Sequence, residues 1–163
     1  MNDVLLHLGS NRGNKSINLK FAQLLINQSI GLVHKESMLY VTSAWGKEDQ
    51  EDFYNMAVMV SSALDAEEIL SKIQIIEDKL GRVRHEKWGP RVIDIDIIFV
   101  GQQIIKKPHL KIPHPELSNR NFVLVPLMDL CPSYMHPILN KTIKEIYSDC
   151  TDTGIVKLYR ARE

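Results

Sequence analysis

Residues 88–101 read WGPRVIDIDIIFVG, and whether this run is a strand decides both the order of elements and the seat of the chemistry. Its β-branched and aromatic residues lie between Pro90 and Gly101, which is the composition and punctuation of a strand. Side chains alternate along a strand, so Ile93, Ile95 and Ile97 point one way while Asp94 and Asp96 share the other face, about 6.6 Å apart. Ile98, Phe99 and Val100 then turn apolar, as in strands that run mid-sheet. A solvated strand face is the plain alternative for the two aspartates. Two unit charges at that separation repel by about 2.5 kcal/mol at an effective dielectric of about 20, so a counter-charge is expected. A lysine could supply it. A hard divalent cation suits the pair better, because Mg²⁺ binds through one or two carboxylates together with phosphate oxygens.

Upstream, Lys79, Arg82, Arg84, Lys87 and Arg91 stand against Glu86 alone, in a chain whose 20 basic and 20 acidic residues balance overall. A solvated basic loop would need no further explanation. This one runs directly into Asp94 and Asp96, and arginine offers fork-shaped donors that stay charged beside phosphate. Carboxylates for a metal and cations for a polyphosphate therefore meet at one strand end.

Further out, DVLLHLG (residues 3–9) is a short strand ended by Gly9, followed by a polar loop. Ile17, Phe21, Leu24 and Leu25 then fall on one face at helical spacing, with Gly31 as a stop. IGLVHKESMLYVTSAW (30–45) and FYNMAVMVSSAL (53–64) read as two strands across a polar loop. Asp65 and Glu68 form a capping box before the stripe Ile69, Leu70, Ile73, Ile76 and Leu80, which ends at Gly81. The order β, α, β, β, α, β predicts an α+β, ferredoxin-like core: an antiparallel sheet with both helices on one face, plus C-terminal additions.

A chain of 163 residues is expected to form one domain, residues 1–163, with a sizeable core. Balanced charge gives no field toward nucleic acid or an anionic membrane. Cys131 and Cys150 lack metal-ligand spacing and read as reduced thiols. No run approaches the length of a membrane span, so a soluble, cytoplasmic protein is expected. GSNRGNKS (9–16) is close to a P-loop, but Asn14 stands where the pattern needs glycine, and the loop reads as a turn with a ligand-facing role left open.

Taken together, GSN after strand one, FYNMAV, GRVR, WGPRVIDIDI and PHPELSNRNFVLVPL resemble the 6-hydroxymethyl-7,8-dihydropterin pyrophosphokinases of folate biosynthesis, in order and over nearly the whole chain. The resemblance implies transfer of the β,γ-pyrophosphate of ATP to the hydroxymethyl group of a reduced pterin, with release of AMP and the help of two Mg²⁺ ions. It assigns both ions to Asp94 and Asp96, and phosphate contacts to Arg82, Arg84, Lys87, Arg91, His114 and Arg120. Arg82 and Arg84 would ride on a mobile loop that Trp88 helps to seal against water. Gln74, Glu77, Ile98, His109 and Lys111 match positions near the nucleotide. Phe53 and Phe122 match an aromatic pair that sandwiches the pterin, Asn55 its amide edge, and Thr42, Ser43, Ala44 and Trp45 its main-chain contacts. Lys87, where an arginine can occur, loses a bidentate fork. ATP and the reduced pterin are the expected partners of a monomer too short to carry a fused second folate enzyme.

An RNA-binding module shares this topology, but the aromatic RNP1 pattern is absent and no face is broadly basic. A nucleotidyl transferase with a carboxylate pair on a similar sheet is a further alternative, distinguished by release of inorganic pyrophosphate.

Overall fold

The structure, a computed structural model, describes residues 1–42, 51–81 and 92–160. β1 (Asn2–Ser10) and β4 (Phe53–Ser62) pair antiparallel at the centre of a sheet. β5 (Asp94–Val100) flanks β1, while β2 (Leu32–Glu36) and β3 (Tyr40–Thr42) both pair with β4, and β8 (Val156–Leu158) pairs with β3. A hairpin of β6 (Ile105–Lys107) and β7 (Leu110–Ile112) stands apart from that sheet. The helices are α1 (Lys15–Ser29), α2 (Ala66–Lys79), α3 (Asn121–Leu130) and α4 (Ile143–Asp149). No helix among the described residues is long and apolar enough to cross a membrane.

The expected α+β arrangement is present. α1 and α2 pack on one sheet face around Val4, Leu6, Leu8, Val58, Ile95 and Ile97. α3 and α4, the C-terminal additions, cover the opposite face around Leu5, Met59 and Phe99. α2 follows its sequence signals closely: Asp65 and Glu68 form both bonds of the capping box, and Ile69, Ile73 and Ile76 are buried. Gly81 takes the left-handed φ of 81° that suits glycine after a helix.

Three expectations need correction. α1 buries Leu19, Ala22 and Ile26, and leaves Ile17, Phe21 and Leu24 exposed. The helix carries two apolar stripes, and the one containing the small Ala22 allows close approach to the sheet. Only Leu25 of the expected face packs, half-buried, against the core. The single strand expected over residues 30–45 is instead β2 and β3, separated at Ser37, whose hydroxyl accepts from Ala57 N–H while its own N–H donates to Ala57 O. Among the described residues β5, expected mid-sheet, is an edge strand. It is apolar on both faces because α2 and β7 lie against it on one side and the α3 cluster on the other.

Tight local geometry fixes the α1–β2 link. A Cβ at Gly31 would lie 2.1 Å from the Ser61 carbonyl oxygen, so only glycine lets the chain pass this close to β4.

Candidate active site

Cross-strand register builds the site on the face turned away from α1 and α2. One row runs Asn55, Gly9, Asp94 across β4, β1 and β5; the next runs Ala57, His7, Asp96. A third row, Met59, Leu5, Phe99, lies in the core beneath α3. Polar chemistry thus occupies the open end of a surface whose other end is closed by a helix. Phe53 lies two residues before Asn55 and shares its face. The pterin residues and the carboxylate pair inferred from the sequence are therefore neighbours, separated by one strand.

Gly9 matters because it has no side chain. A Cβ there would meet Asn55 Oδ1 at 3.4 Å and Phe53 Cδ1 at 3.6 Å, so glycine leaves the floor between Phe53, Asn55 and Asp94 open. Asn55 is 2% exposed, and its Nδ2 donates to Thr42 Oγ1 at 2.8 Å. Thr42 thus orients the amide through its hydroxyl.

Asp94 and Asp96 are half-buried on β5. The main-chain N–H between them, on Ile95, donates to Glu77 Oε2 at 3.1 Å. Glu77 is buried against β5, whereas Gln74, one turn earlier on α2, is exposed. The helix pair seen in sequence therefore splits into a brace and a surface residue.

At the outer edge of β5 a pocket of about 250 Å³ brings Asp96, His109, Lys111 and His114 together, with Leu70, Ile97 and Leu110 in its walls. His109 is exposed there, and its Nε2 lies 3.0 Å from both carboxylate oxygens of Glu67, which Lys107 also contacts at 3.0 Å. Those two partners hold the Glu67 carboxyl below its ordinary range, Lys107 most strongly. Ile98 packs with Phe99 in the α3 core: a register shift between β1 and β5 pairs Leu6 with Ile97 and Leu5 with Phe99, leaving Ile98 as an extra residue. Its side chain is 1% exposed and Ile97 lines the pocket in its place; Ile98 reaches the site only through its carbonyl, which accepts from His114 N–H at 3.1 Å.

His114 is not a cation at neutral pH. Burial, with Arg120 adding, pushes its imidazole down to about 4, against the pull of Glu116 and Asp94. Its Nδ1 accepts from Glu116 N–H at 3.1 Å, so the neutral ring carries its proton on Nε2 and offers a donor there. Arg120 places its guanidinium carbon 5.8 Å from the centre of the Phe122 ring.

His7, which sequence inspection passed over, sits at the centre of the second row and is 3% exposed. Burial pushes it down to about 4, with Asp94 opposing. Its sequence signal was the same as that of the aspartates: one polar residue within an apolar strand. Arg82, Arg84, Lys87, Trp88 and Arg91, and with them Ser43, Ala44 and Trp45, lie outside the described residues.

Residues 5–132 match the family model of 7,8-dihydro-6-hydroxymethylpterin-pyrophosphokinase (HPPK). The chain belongs to this family. It is similar to the 2-amino-4-hydroxy-6-hydroxymethyldihydropteridine pyrophosphokinase of Aquifex aeolicus, 39% identical over 93% of this chain and 94% of that protein. It is 41% identical to the Bacillus subtilis enzyme of the same name, over 99% and 93%. Among solved structures, a Plasmodium falciparum HPPK-DHPS variant superposes with a TM-score of 0.75 at 21% identity, which speaks to the fold. That match covers 91% of this chain and 43% of that one, so this chain spans less than half the length of the solved HPPK-DHPS protein. As an HPPK, the protein is a pyrophosphokinase acting on hydroxymethyldihydropterin.

Proposed function

We propose that residues 1–163 form one HPPK unit that transfers the β,γ-pyrophosphate of ATP to 6-hydroxymethyl-7,8-dihydropterin, in a Mg²⁺-dependent step of folate biosynthesis that releases AMP. The observation that carries this reading is the shared face: Phe53 and Asn55 stand one strand away from Asp94 and Asp96, across the bare Gly9. A flat heterocycle with an amide edge and a metal-chelated polyphosphate fit adjacent places on such a surface.

The substrate hydroxymethyl oxygen attacks the β-phosphorus. The bond from that phosphorus to the oxygen bridging the α-phosphate breaks, AMP departs with that oxygen, and the hydroxyl proton goes to solvent. Asp94 and Asp96 would hold Mg²⁺ through carboxylate oxygens presented from one strand face, with phosphate oxygens and water as the remaining ligands. Two such ions, when bound, supply charge neutralisation and lower the pKa of the attacking hydroxyl. Asn55 orients the pterin edge, and Phe53 and Phe122 hold its faces. The neutral His114 donates to a phosphate oxygen through Nε2, while Arg82, Arg84, Lys87, Arg91 and Arg120 balance its charge and Trp88 helps to exclude water. Ile97, Leu110 and Lys111 border the nucleoside, with His109 at the rim.

Product analysis tests the reaction. With ATP, Mg²⁺ and the reduced pterin, AMP and pterin diphosphate are expected in equal amounts. Release of inorganic pyrophosphate, with AMP joined to the pterin, would instead indicate nucleotidyl transfer.

A further inference from the structure

We propose that His7 is a positioning residue for the pterin slot, holding the main chain of Phe122 by replacing a helix donor that Pro126 cannot provide. The role rests on the reading of Phe122 as one wall of that slot.

In α3 the carbonyl of Phe122 would ordinarily accept from the N–H four residues on. That residue is Pro126, which lies inside the helix and has no N–H. A helix carbonyl packed against protein and left without a donor is costly. His7 Nε2 stands 3.2 Å from this carbonyl. A carbonyl can only accept, so Nε2 carries the ring proton and donates.

The same imidazole also meets the Phe122 side chain edge-on, with ring centroids 5.8 Å apart and planes at 66°. One residue of β1 therefore fixes Phe122 by its main chain and its ring. β1 is hydrogen-bonded on both sides, to β4 and β5, which makes it a stiff support. His7 lies between Ala57 and Asp96, one row below Asn55, Gly9 and Asp94. It thus ties the first turn of α3 to the strand that forms the slot's floor. The slot's width depends on that tie, whereas the nucleotide pocket at the outer edge of β5 does not include His7.

The test is a double-mutant cycle on the intact protein, reading KM for the reduced hydroxymethylpterin and for ATP from AMP formation, with thermal melting as the check on folding. His7→Leu keeps apolar bulk and removes the donor; it is expected to raise the pterin KM about tenfold and leave the ATP KM within about twofold, the scale of one lost hydrogen bond. His7→Gln, which can present an N–H near the Nε2 position, is expected to restore most of the pterin KM. In a Pro126→Ala background the helix regains its own donor, and His7→Leu is expected to have a much smaller effect; this pair also serves if His7→Leu alone does not melt cooperatively. An unchanged pterin KM, an equal rise in both KM values, or the same His7→Leu effect in both backgrounds would overturn the role while leaving the reaction standing. A wild-type protein that makes no pterin-dependent AMP would overturn both.

Discussion

Glu77 on α2 accepts a hydrogen bond from the main-chain N–H of Ile95 at 3.1 Å, so a buried carboxylate holds the edge strand midway between Asp94 and Asp96. An edge strand has one row of main-chain groups without a strand partner, and here the helix supplies an acceptor at the point where the carboxylates must be spaced.

Replacing Glu77 separates that brace from any direct contact with nucleotide. Glu77→Gln retains an acceptor oxygen and is expected to leave stability close to the parent. Glu77→Ala is expected to cost about 1–3 kcal/mol in urea unfolding, because Ile95 N–H loses its buried acceptor, and to lower turnover in parallel. The comparison of the two urea midpoints decides it; equal losses for Gln and Ala would assign the effect to charge rather than to the hydrogen bond.

At Gly9 the missing side chain is the feature to test. Gly9→Val places methyl groups against Asn55 Oδ1 and Phe53 Cδ1, where even a Cβ has only 3.4 and 3.6 Å. The pterin KM is expected to rise roughly tenfold or more, with the ATP KM much less affected, since a pocket wall discriminates against volume. Steady-state kinetics with each substrate varied in turn provides the check.

Two histidines set an acid limit. His7 and His114 are both pushed from 6.5 to about 4 in the folded protein. Between those values the unfolded chain takes up protons that the folded one refuses, so the stability these groups provide is complete above pH 6.5 and is lost as pH falls toward 4. The fully buried His7 contributes at most about 3 kcal/mol of this. Urea midpoints followed from pH 7 to 4 should fall over that window, and His7→Gln should flatten the fall.

The parts of the site legible in sequence were those carried by local pattern. Asp94 and Asp96 stood out by alternation, Phe53 and Asn55 by sharing one strand face, and Asp65 with Glu68 by a spacing that a helix start uses directly. The rest depended on contacts that no local pattern contains. α1 has two apolar stripes, and only the sheet chooses between Leu19–Ala22–Ile26 and Ile17–Phe21–Leu24. Phe99 shares a face with Ile98 because a bulge against β1 re-phases the alternation by one residue. The partnership of His7 with Phe122 joins residues 115 apart in sequence.

The most direct test is the turnover of Asp96→Ala at saturating ATP, Mg²⁺ and reduced hydroxymethylpterin, with circular dichroism confirming the fold. A loss of roughly a thousandfold or more in AMP formation is expected, the several kcal/mol that metal-held charge supplies to a phosphoryl transition state. A folded Asp96→Ala protein that retains turnover within about tenfold of the parent, a loss no greater than one ordinary hydrogen bond explains, would contradict the assignment of this strand face to the reaction.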